Sequence, residues 1–170
     1  MTPHPLGSSD AYATGAGYWQ GWPVAYNQGR GWATVPHCYG YVGVARGLAP
    51  DTGSGAELYA VIGHAPRQLD RNIAIVGRVI DGIQHLSSLP RGSEALGFYK
   101  DQAQHAPILS IRLASQLPAA ERPRFEYLDT QSASFGRYLQ LRANRSDDFY
   151  RVPAGGVDLC NAPVPVREAK

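Results

Sequence analysis

Residues 51–79 alternate freely turning backbone with short apolar runs, and no other stretch restricts the possible fold as strongly. Asp51-Thr52-Gly53-Ser54-Gly55 sets two glycines among small polar residues, so the backbone there turns without steric penalty. Residues 58–62 are almost continuously apolar, the pattern of a strand covered on both faces. Leu69-Asp70-Arg71-Asn72 reads as a turn. Residues 73–79 carry β-branched side chains up to Gly77-Arg78-Val79 and read as a second strand. Loop, strand, turn and strand in so short a span point to a β-rich chain.

Composition agrees. Nineteen glycines and thirteen prolines imply many turns and disfavour a helical bundle. With 44% apolar and only 18% charged residues the chain is globular, and 170 residues suffice for one core. A net charge of +2 without any basic run argues against nucleic acid and against an anionic membrane surface. The first residues lack the basic start and apolar centre of a signal peptide, and no apolar run is long enough to span a bilayer.

Three segments follow. Residues 1–36 interleave Tyr12, Tyr18, Trp19, Trp22, Tyr26 and Trp32 with glycines. A stacking surface is one reading of such a pattern. With no lysine or arginine before Arg30, an extended segment pinned to the body by its aromatics is the preferred one. Residues 37–117 contain strands at 39–46, 58–62, 73–79 and 108–113, a short helix at 81–88 stopped by Pro90, and a loop at 92–104. Residues 118–170 add a strand at 125–128, a helix at 132–144 and a short apolar tail, an α/β extension packed on the same domain.

Few side chains carry a recognisable chemistry. Asp51-Thr52-Gly53 is the signature of aspartic proteases, in which two aspartates share one proton; a chain with one copy has to dimerise to use it. Here it follows a turn rather than an apolar strand, which favours a simple loop. Ser54 lacks the spacing of a nucleophile elbow. His37 and Cys38 are neighbours on a strand and point to opposite faces, and His64 belongs to a surface loop. No zinc-ligand spacing exists, and no cofactor is called for. Cys38 and Cys160 permit one bridge or two buried thiols; the sequence leaves both open.

Gly40-Tyr41-Val42-Gly43-Val44-Ala45-Arg46, Gly55-Ala56-Glu57-Leu58-Tyr59, and Leu69-Asp70-Arg71-Asn72 through Gly77-Arg78-Val79 occur in an order and spacing that resemble the cyclophilin family of peptidyl-prolyl cis-trans isomerases. The resemblance covers residues 37–113 and looks like a divergent bacterial branch. It implies a mainly β fold, an antiparallel β-barrel with short helices. It also implies proline-containing polypeptides as partners, isomerisation of Xaa-Pro bonds as the reaction, and a periplasmic or secreted full-length protein. That compartment is oxidising, which favours a Cys38–Cys160 bridge.

Carried over position by position, Tyr59 and Leu69 line the proline pocket, Ala45 and Arg46 hold the substrate backbone, and Glu57 sits at the groove. Asn72 stands where many members have histidine, and Gln68 where some have tryptophan. Glu57, Tyr59 and Asn72 imply a more polar pocket, with weaker isomerisation or a shifted substrate preference. In the family a catalytic arginine and a Phe-x-x-Gln-Gly-Gly strand precede the matched segment. In this chain no arginine precedes Arg30, and Trp19-Gln20-Gly21 carries only part of that pattern. The expectation is therefore a barrel incomplete at its N-terminal side, and either an isomerase or a module that holds proline segments without turning them.

Overall fold

The structure, a computed structural model, describes residues 2–169. Strands β1 (His4–Pro5), β2 (Gly15–Trp19), β3 (Trp22–Asn27) and β4 (Trp32–Thr34) form an antiparallel sheet in sequential order. The segment expected to be merely extended is thus a sheet. Its decisive local signal is Gln20-Gly21, both at positive φ, 47° and 81°. This two-residue mirror-image turn matches the twist of paired strands and sets Trp19 opposite Trp22.

Strand β5 (Tyr41–Val44) is the centre of a second antiparallel sheet, between β6 (Leu58–Ala60) and β7 (Ile75–Arg78). The short helix α1 (Ile83–Ser87) follows, then a long run of loop and single 3₁₀ turns. Strand β8 (Phe125–Tyr127) precedes α2 (Ala133–Ala143), and β9 (Val166–Glu168) returns to pair antiparallel with β8. Ser132 caps α2, its hydroxyl accepting from the Phe135 amide at 3.1 Å. The chain is mainly β and antiparallel, in three separate sheets of four, three and two strands; among the described residues none closes into a barrel. No helix among them is long and apolar enough to cross a membrane.

Two strand expectations change. Residues 108–113 form no strand, and Ile108, Leu109, Ile111 and Leu113 are exposed, because no described strand offers them a hydrogen-bonding ladder. Strand β6 exists, yet Leu58 and Ile62 are about half exposed, so it is an edge strand and not one covered on both faces.

The main core joins distant parts of the chain. Leu6, Ala16, Tyr18 and Ala25 from the first sheet meet Phe135 and Leu139 of α2 and Leu159, Ala162 and Val164 of the tail. Tyr18 is fully buried and edge-on to Phe135 at 4.8 Å. Its hydroxyl lies 3.0 Å from the Leu159 carbonyl and 2.9 Å from that of Ala162, which ties the tail to the sheet. Burial pushes the phenol pKa far up, so this group stays a donor. Tyr18→Phe removes the one proton that these two buried carbonyls share and is expected to cost about 1–3 kcal/mol of unfolding free energy, measured by denaturant titration.

Candidate functional site

The region around the second sheet is organised by a chain of buried polar side chains. Pro66 starts a 3₁₀ turn, Arg67–Leu69, which brings Arg67 and Asp70 side by side. Arg67 is only 6% exposed, and its Nε donates to Asp70 Oδ2. Its Nη2 lies 3.0 Å from Asp10 Oδ2, and the guanidinium rests over the Tyr12 ring at 4.8 Å. Burial opposes this charge, but the hydrogen bonds and fields of Asp70 and Asp10 outweigh it and raise the Arg67 pKa.

Asp70 also faces His37, which is fully buried. Asp70 Oδ1 accepts from the His37 amide at 2.8 Å and from its ring Nδ1 at 2.9 Å. An ionised carboxylate only accepts, so Nδ1 carries a proton, and in the neutral ring Nε2 then keeps its lone pair. That lone pair accepts from the Tyr59 hydroxyl at 2.9 Å. The two ring planes are within 10° of parallel, with centroids 6.2 Å apart. Burial raises the Tyr59 pKa, so the phenol keeps its proton.

Tyr59 reaches His37 by lying across β5. Its cross-strand partner is Gly43, where β5 also shifts register against β7. A Cβ built on Gly43 would fall 2.4 Å from Tyr59 Cζ and Oη, so only glycine leaves room for the ring.

The residues carried over from the family motifs gather near the end of the sheet where β5 finishes. The Ala45 amide donates to the Glu57 carbonyl at 2.9 Å. Arg46 donates from Nε to the Asn72 carbonyl at 3.1 Å and from Nη1 to the Gly47 carbonyl at 2.7 Å. Asn72 is tied to the turn before it: its amide nitrogen donates to the Leu69 carbonyl at 2.9 Å, and Nδ2 donates to that of Gln68 at 3.3 Å. Arg46 and Asn72 border a cavity of about 400 Å³ together with Thr34, Thr52 and Ile73. That cavity does not include Ala45, Glu57, Tyr59, Gln68 or Leu69. Leu69 is half-buried, Gln68 and Glu57 are exposed, and Tyr59 points its hydroxyl inward.

Asp51 acts as a loop brace. Oδ2 accepts from the Gly47 amide at 2.6 Å and Oδ1 from that of Gly53 at 2.8 Å. Those two backbone donors, Gly53 first, lower its pKa, with Arg46 adding to the effect. A carboxyl held below its ordinary pKa supports the loop above the usual carboxylate range and releases it only as pH falls through the lowered value. We expect the Gly47 and Gly53 amide NMR signals to titrate together, with a midpoint below that of a free aspartate.

Cys38 and Cys160 form a disulfide across 122 residues, with Cα atoms 5.0 Å apart. It fastens the tail beside His37. Closing so long a loop is worth about 4–5 kcal/mol in the chain-entropy model. Reduction is expected to lower the melting temperature, and a Cys38→Ser, Cys160→Ser double variant to match the reduced chain in a thermal scan. Cys160 also borders a larger cavity, about 520 Å³, with Asp10, Arg67, Tyr39 and the exposed His64.

His37, Asp70, Arg67 and Asp10 were not legible as one cluster in the sequence. The only signal was Asp70 inside the motif Leu69-Asp70-Arg71-Asn72; His37 stands 33 residues away and Asp10 farther still. No known protein-family model matches the chain, and no curated protein matches it.

Proposed function

We propose that this chain is a cyclophilin-type peptidyl-prolyl cis-trans isomerase acting on Xaa-Pro bonds in polypeptides. One observation carries the reading. The three segments that resemble the family motifs, separated in sequence, are joined near one end of the β6–β5–β7 sheet, Ala45 to Glu57 and Arg46 to Asn72. On this reading the sheet belongs to the wall of a cyclophilin-like barrel, and Leu69 and Tyr59 border the proline pocket. The disulfide supports an oxidising compartment such as the periplasm.

The chemistry needs no covalent intermediate. Amide resonance sets a barrier of about 18–20 kcal/mol, while the cis and trans forms of a prolyl bond differ by only about 1 kcal/mol. A donor to the prolyl nitrogen weakens that resonance in the twisted state and leaves the planar states almost untouched. Arg46 is one of two guanidinium groups bordering the cavity at this end of the sheet, the other being Arg71, which lies over the Trp32 ring. Two backbone carbonyls hold Arg46, and its Nη2 makes no hydrogen bond among the described residues.

A second reading, a module that binds proline segments without turning them, is favoured by the same hydrogen bonds, because two of the three Arg46 side-chain nitrogens are taken up by the Asn72 and Gly47 carbonyls. The protease reading is disfavoured: both Asp51 oxygens accept from the loop itself and the carboxyl is held ionised, whereas a protease dyad shares a proton.

NMR exchange spectroscopy on an Xaa-Pro peptide separates these readings. The isomerase reading requires cis–trans exchange faster than the uncatalysed rate, and Arg46→Ala is then expected to lose most of that acceleration and to weaken peptide binding. Peptide binding with unaccelerated exchange replaces the isomerase by the binding module. Absence of both rejects the family reading.

A further inference from the structure

The proposed pocket contains a tyrosine whose hydroxyl is engaged elsewhere. We propose that His37 and Asp70 are positioning residues for substrate binding, which lock the Tyr59 ring across β5; the proposal rests on the reading that Tyr59 borders the proline pocket. Both ends of the lock are on the protein. Gly43 removes the side chain that would lift the ring from the sheet, and His37 Nε2 accepts the phenolic proton 2.9 Å away. His37 cannot rotate to another role. It is fully buried, and Asp70 holds both its amide and its Nδ1. Asp70 is in turn fixed by Arg67, which Asp10 holds from the other side.

Two consequences follow from hydrogen-bond inventory alone. The Tyr59 proton is committed inward, so its oxygen has only acceptor capacity left for a bound polypeptide. Tyr59 therefore does not donate to the prolyl nitrogen, and that part falls to another group. The ring itself is pinned at its far end, so it meets the ligand already ordered and loses little rotational freedom on binding. A phenylalanine at this position has the same ring and no pin.

The test is Tyr59→Phe, which keeps ring size and removes one hydrogen bond. In the native chain without peptide, NMR should show a single Tyr59 χ1 rotamer and a protected hydroxyl proton coupled to His37 Nε2. In Tyr59→Phe the side chain should sample more than one χ1 rotamer. Peptide affinity, or KM if the chain turns over, should weaken about fivefold, the ratio that one hydrogen bond's net worth represents, with kcat little changed. His37→Gln, whose amide still offers an acceptor, should keep the single Tyr59 rotamer better than His37→Leu. Native-like affinity in Tyr59→Phe, or χ1 averaging of Tyr59 in the native chain, overturns the positioning role and leaves the isomerase reading standing. A native chain that binds no proline peptide overturns both.

Discussion

A guanidinium only 6% exposed is a liability unless its charge is answered on the spot, and much of this molecule is arranged around answering Arg67. Removing one partner from a buried ion pair costs about 3–5 kcal/mol, because the other charge is stranded. Here the partners come from separate places: Asp10 from the connection between β1 and β2, Asp70 from the turn before β7. His37, between β4 and β5, then hangs on Asp70. The ion cluster is therefore a joint between the first sheet and the second. Arg78 adds a second tie, donating to the Gly21 carbonyl at 2.8 Å from the end of β7 while lying over the Trp22 ring.

The tail is secured by different physics. Leu159, Ala162 and Val164 enter the apolar core, the one hydroxyl proton of Tyr18 is shared between two carbonyls there, and the disulfide lies between them at Cys160. These ties fall within six residues of one another. Such a short segment buries too little surface to stay docked by area alone. The covalent link and the buried hydroxyl compensate. Cys38 adjoins His37, so the same disulfide also ends at the polar joint, and the two fastenings share one place in the chain.

What could be read from the sequence was what depends on neighbours. The helix capped by Ser132, the turn at Leu69–Asn72 and the strands around 41–44 and 75–78 all follow from local residue choice. The sheet of residues 1–36 was readable in principle at Gln20-Gly21, yet its short strands and crowding aromatics hid the alternation. Residues 108–113 show the opposite failure. Their apolar alternation is real, but a strand needs a partner, and periodicity does not say whether one is present. The site was half legible. Motif order pointed to Arg46, Tyr59 and Asn72, while the Asp10–Arg67–Asp70–His37 chain is made of long-range pairs with no local pattern.

Tyr59 shows why such pairs change the meaning of a residue. Taken alone, a tyrosine in an apolar pocket suggests a wetter and weaker site. A buried hydroxyl without a partner costs roughly 1–3 kcal/mol, and that cost would favour turning the ring toward water. The His37 lone pair removes the reason to turn, and Gly43 removes the obstacle to lying flat. With its polar end tucked against an interior histidine, the side chain leaves chiefly the face of an aromatic ring for its other contacts. Glu57 and Gln68, both exposed, are the carried-over positions where polarity itself reaches solvent.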